Sequence, residues 1–169
     1  MKIKIILVTS IVVISLSVSL YFYLNRFNDS NLNELSESLM TNKFITTNTI
    51  DEDSNSTTLK TKNAKLYYYT VHIMASDNFI SANDQEKLEA MMDITKDIKK
   101  YSGKTNLIDS GRKKYAQIKN IIVIGENENK DIATYQMEYD PNKELNQYKM
   151  NVSYVENNNY QQKIIKYDE

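Results

Sequence analysis

Residues 5–24, Ile5 to Leu24, run for twenty residues without a charged side chain, and Lys2 and Lys4 precede them. At about 1.5 Å per residue, a helix of that length spans about 30 Å, the thickness of a bilayer's hydrocarbon core. A chain that starts this way is either anchored in a membrane or exported. Ser17-Val18-Ser19 offers small residues for a signal peptidase, but the apolar run continues through Leu20, Tyr21, Phe22, Tyr23 and Leu24. Tyrosine suits the end of a span, with its ring in the apolar zone and its hydroxyl in water. The expectation is an uncleaved anchor; the alternative is secretion after cleavage near Ser19.

Orientation follows from the basic residues. Lys2, Lys4 and the terminal amine lie before the run, and Arg26 lies just after it. The positive excess stays cytoplasmic, which places residues 27–169 outside. A bacterial lipoprotein would need a cysteine after the apolar run, and a pilin-like chain would need an early glutamate. The sequence has no cysteine, and its first acid is Asp29. The expected organisation is a cytoplasmic segment at 1–4, a transmembrane signal-anchor at 5–24, a juxtamembrane stalk at 25–62 and an ectodomain at 63–169.

Charge narrows the partners. Without Lys2 and Lys4, 19 basic residues face 22 acidic ones, a net charge of −3. That balance argues against nucleic acid, which calls for a basic stripe, and the linear sequence shows no polybasic patch for anionic lipid. The absence of cysteine excludes disulfide staples and thiol chemistry. Abundant Asn, Lys, Ile and Tyr beside three Gly and one Pro match an AT-rich coding bias. With the anchor, this points to a low-GC Gram-positive bacterium.

Within 25–62, Leu32, Leu35, Leu39 and Met40 fall at helical spacing after a capping Ser30, which reads as a stalk helix. Lys43 to Ile50 is β-prone, Asp51 to Ser56 reads as an acidic loop, and Thr57 to Lys62 as the second arm of a weak hairpin. Leu66 to Met74 is the strongest strand, apolar on both faces and therefore central. One amphipathic helix follows, with Ser81 as its cap, a buried stripe of Leu88, Met91, Met92, Thr95 and Ile98, and Gly103 as its stop. Four strands come next: Tyr115–Ile124, Ile132–Tyr139, Gln147–Val155 and Tyr160–Tyr167. Their turns fall at 125–130, 140–143 and 157–159. The expected fold class is α+β, one helix packed on a curved antiparallel sheet of about five strands. This order of elements resembles the cystatin-like and NTF2-like folds, which recur in extracytoplasmic bacterial proteins.

Chemistry-bearing motifs are sparse. His72 is the only histidine, so a serine triad or a zinc site lacks partners. Asp51 and Asp53 begin like a calcium loop, but Ser56 and Lys62 stand where an EF-hand has Gly and Glu. Tyr115/Lys119 and Tyr139/Lys143 match the Y-x-x-x-K dyad of dehydrogenases, without any glycine-rich nucleotide loop. No catalytic residue, cofactor or metal is therefore expected. The thirteen tyrosines concentrate in strands. Tyr68, Tyr135, Tyr148 and Tyr154 are the candidate partner-binding aromatic face, against the alternative of ordinary sheet packing.

The functional expectation is a membrane-anchored, non-enzymatic binding or accessory subunit of an envelope assembly, touching lipid through residues 5–24 and a protein or envelope component outside. The alternatives are a carboxylate-dependent hydrolase using a pair such as Glu138 and Asp140, and a ligand pocket between helix and sheet lined by Met91, Met92 and strand tyrosines.

Overall fold

A computed structural model describes residues 2–24, 26–126, 132–140, 142–156 and 158–167, with the side chains of 2–12, Lys104, Glu126 and Leu145 excepted. Helix α1 (Lys2–Leu24) is unbroken over 23 residues. It takes in Lys2 and Lys4, expected to precede it. No Gly or Pro interrupts it, and the Ser17 hydroxyl bonds back to the Val13 carbonyl at 2.8 Å instead of disturbing the turn. Among the described residues no helix is long and apolar enough to cross a membrane, and the described side chains of α1 begin at Val13.

The remainder is a mixed α+β domain. Helix α2 (Ser30–Leu39) is followed by strands β1 (Ile45–Leu59) and β2 (Ala64–Ala75), a single turn α3 (Asp77–Ile80) and helix α4 (Asp84–Ser102). Strands β3 (Ile108–Asp109), β4 (Lys114–Glu126), β5 (Ile132–Glu138), β6 (Lys149–Glu156) and β7 (Asn159–Lys166) complete it. The described residues form one sheet in the order β1-β2-β4-β5-β6-β7, with β3 flanking the start of β4.

The sheet corrects the expected antiparallel arrangement of about five strands. It has seven strands, and β2 and β4 run parallel, Val71 opposite Ile121 and Ile73 opposite Val123. The cause is α4: a strand that returns through a helix laid across the sheet comes back in the same direction. The remaining pairings are antiparallel.

The expected stalk is built into this domain. Leu32, Leu35 and Leu39 of α2 are buried against the common core. Asn48 locks α2 to β1 by accepting from the Ser36 hydroxyl at 2.7 Å and donating to its carbonyl at 3.0 Å. The weak hairpin expected from 43–50 and 57–62, with its loop at 51–56, is instead one long strand, with Lys60–Lys62 in a 3-10 turn; the strand, β1, pairs with β2 from Ile45 to Leu59. Its acidic stretch fits because β1 is an edge with exposed side chains. Register breaks there: Asp53, Ser54 and Asn55 together stand opposite Tyr68. Asp53 turns back to accept from the Thr70 hydroxyl at 2.9 Å.

Helix α4 carries the packing. Its cap is Asn83, two residues beyond the expected Ser81. Asn83 accepts from the Glu86 amide at 3.0 Å, and the Glu86 carboxylate accepts from the Asn83 amide at 2.8 Å. Gly103 ends the helix at φ +57°. Leu88, Met91, Met92, Thr95 and Ile98 are all buried as expected, facing Val71, Ile73, Ile121, Val123, Met137, Met150 and Val152 of the sheet. Among the described residues the opposite sheet face carries no helix. A row of neighbours there runs His72, Ile122, Gln136, Asn151 and Ile164, and none of them is fully buried. Residues 127–130, Pro141 and Asn157, within the three expected turns, lie outside the described residues. The Lys143 amide nevertheless bonds the Asp140 carbonyl at 3.1 Å, and Asn158 takes the left-handed φ of 62° that asparagine tolerates.

Candidate functional site

Where α4 passes the ends of β5 and β7, the core opens into a cleft of about 610 Å³. Four α4 residues at helical spacing form one wall: Met92, Thr95, Lys96 and Lys99. Tyr139, Tyr148 and Tyr167 form the floor, and Lys143, Glu144 and Asn146 of the β5–β6 connection form the far wall.

That connection is stiffened from within. The Asp140 carboxylate accepts from the Asn142 amide at 2.9 Å, and the Glu144 amide donates to the Gln147 side chain at 3.0 Å. The Tyr148 hydroxyl donates to the Asp140 carbonyl. Tyr139 reaches the other side, its hydroxyl 3.3 Å from that of Ser102 in the last turn of α4. Burial pushes both phenols up from their ordinary pKa. They stay neutral donors at physiological pH.

Three lysines give the mouth its charge. Lys96 pairs with Asp93 at 2.6 Å. Lys143 lies 3.6 Å from Glu138 and 5.9 Å from the centre of the Tyr148 ring. The Tyr139 and Tyr148 hydroxyls are committed to Ser102 and Asp140, so the cleft offers a ligand apolar tyrosine and methionine surface and ammonium groups.

The structure separates the four expected tyrosines. Tyr148 is on the cleft floor. Tyr135 faces the helices, its ring 5.1 Å from Phe79 and 5.7 Å from the Lys87 ammonium. Tyr154 is half-buried on the same side of the sheet, packed against the core. Tyr68 belongs to the uncovered side, beneath Lys119 at 3.7 Å. Of the expected pocket methionines, Met92 lines the cleft and Met91 is wholly core. Tyr139, Tyr148 and Tyr167 are strand tyrosines of the kind expected to line such a pocket, whereas Lys96 and Lys99 join it unforeseen; the 92-95-96-99 spacing on α4 is the signal that could have found the lysines.

The hydrolase pair does not form a buried couple. The Glu138 side chain is 75% exposed beside Lys143, and the Asp140 carboxylate is engaged in its own turn. His72 stands on the uncovered sheet face, 3.9 Å from Asp51. Among the described residues no cluster of three or more His, Cys, Asp or Glu is placed to hold a metal.

No family model, no curated protein and no solved structure matches this chain.

Proposed function

We propose that the chain is a membrane-anchored, non-enzymatic binding module of a Gram-positive envelope. In this reading α1 spans the bilayer through residues 5–24, and the domain stands outside to hold an envelope component or partner subunit. The uncharged run of twenty residues supports the anchor, and the lysines before it support the orientation. The observation that carries the binding function is the cleft. It is preformed, it meets its ligand with a tyrosine and lysines, and the two carboxylates weighed for hydrolysis form no buried couple, Glu138 being exposed and Asp140 held in its own turn.

The ligand that fits is a saccharide ring bearing a carboxylate or phosphate. Its apolar face would lie on Tyr167, and its anion would meet the lysine rim. The test titrates the full chain in lipid nanodiscs with N-acetylmuramic acid and with neutral N-acetylglucosamine, read by ligand-detected NMR. The acid binds and the neutral sugar does not, and Lys99→Glu with Lys143→Glu removes the preference. Equal response to both sugars, or turnover of either, overturns the reading.

A further inference from the structure

The strands order the charges along the molecule. At the end where β2 and β4 begin, the fold gathers basic residues from four separate segments: Arg26, Lys60 with Lys62, Lys65, and Arg112 to Lys114. Lys65 and Lys114 are register neighbours, and the Lys65 amide donates to the Lys113 carbonyl at 2.9 Å. The Lys62 ammonium lies 4.6 Å from the centre of the Tyr115 ring. These seven are more than a third of the 19 basic residues after the apolar run, and Asp29 and Asp109 are the acids interleaved with them. The linear sequence hides this patch because its parts are up to 88 positions apart, Arg26 to Lys114.

This is also the end from which α1 departs. Phe27 is clamped by Tyr67 and Tyr69, ring centres 5.1 and 6.3 Å away, and the Asn28 amide donates to the Ser110 carbonyl at 2.8 Å. Leu24, the last residue of α1, is two residues from Arg26, a reach of at most about 7 Å. Beside this exit a groove of about 530 Å³ is lined by Asn28, Ser30, Asn31, Arg112 and Lys113, whose amide, hydroxyl and cationic groups suit a phosphate, and by Asp109, whose carboxylate accepts from the Gly111 amide at 3.0 Å.

We propose that this basic collar is a second membrane contact, which docks on anionic lipid headgroups around the exit of α1 and sets how the domain stands on the bilayer. The inference rests on α1 being an anchor, but not on which side of the membrane the domain occupies. Its logic is continuity. If residues 5–24 span the hydrocarbon, Leu24 lies at the interface, and the collar sits within about one Debye length of the headgroups. Each cation so placed favours an anionic surface by about fivefold.

The chain has no cysteine, so single labels are unambiguous. The full chain, labelled at Thr61→Cys on the β1–β2 tip or at Ser81→Cys beyond the far end of β2, is placed in nanodiscs of phosphatidylcholine with and without phosphatidylglycerol. Proximity to a headgroup-borne quencher is then measured. Phosphatidylglycerol draws position 61 to the headgroups, leaves position 81 remote, and loses its effect in high salt. Lys60→Gln, Lys62→Gln and Lys113→Gln together weaken the phosphatidylglycerol-dependent docking by about a hundredfold, at about fivefold each. An inserted chain whose position 61 ignores phosphatidylglycerol overturns the collar while leaving the anchor intact. Displacement by inorganic phosphate beyond that by chloride at equal ionic strength overturns it in favour of a soluble-anion site. A chain that fails to insert at all overturns the anchor, and the collar with it.

Discussion

The carbonyl oxygen of Arg26 lies 2.9 Å from where Gly111 would carry a Cβ. Gly111 sits at φ +113°, a conformation that L side chains rarely adopt. The turn between β3 and β4 therefore accepts the chain leaving α1 only because this residue has no side chain. Gly111→Ala should cost about 1–3 kcal/mol through backbone strain and the lost close approach. Chemical denaturation checks it, and an unchanged midpoint would show that the linker does not rest on the turn.

Leu35 tests whether α2 belongs to the domain. It is 0% exposed among Leu32, Leu39 and the α4 stripe. Leu35→Ala should cost about 2–5 kcal/mol. A free stalk helix would tolerate the change with no shift in melting temperature.

Tyr69 sets an alkaline limit. Burial first, then the neighbouring Glu52 carboxylate, push its phenol from 10.0 up to about 12. The folded chain holds this proton where the unfolded chain has released it, so the native state gains from the neutral phenol. That contribution is complete below pH 10 and is lost as pH rises from 10 through about 12. Tyr69→Phe should flatten stability against pH across that window. A parallel loss in both proteins would assign the alkaline limit to other groups.

His72 should be expendable. Its contact with Asp51 is long at 3.9 Å, and both side chains are substantially exposed, 38% and 62%. Exposed pairs of this kind contribute little. His72→Gln should change stability by less than about 0.5 kcal/mol and leave ligand binding intact. Loss of binding in a folded variant would place the site on the uncovered sheet face.

What could be read in advance was what repeats regularly. The α4 stripe recurs at helical spacing and is buried residue for residue, and the four strands after it fall where alternation placed them. The middle of β1, Asp51 to Ser56, reads as a loop because an edge strand need not be apolar. Thr57, Asp51 and Glu52 pair through their backbones, which composition does not report. The helix cap shifted from Ser81 to Asn83 because the two-residue spacing leaves room for the turn α3, where Phe79 is driven into the core. The tyrosines were misassigned for a similar reason. Alternation shows that two strand residues share a side, but not which side a helix will cover, so Tyr68 and Tyr135 looked equivalent and lie on opposite faces. The cleft depends on residues far apart in sequence, Lys96 and Tyr167 among them, which only the packing of α4 across the sheet brings together.

The break in register on β1 bears on how copies coexist. Under the proposed anchoring, copies tethered in one membrane would meet at high local density and in similar orientation, conditions under which open strand edges zip together into aggregates. One exposed edge here is kinked by Asp53, Ser54 and Asn55 and carries Asp51 and Glu52. The other, β7, carries Lys163 and Lys166. Strand-to-strand contact between two like edges sets acid against acid or lysine against lysine, and the kink denies a straight template to any newcomer. Under that anchoring, like edges of neighbouring copies repel, and the Gln85 side chain of α4 already occupies the Lys166 carbonyl at the β7 margin.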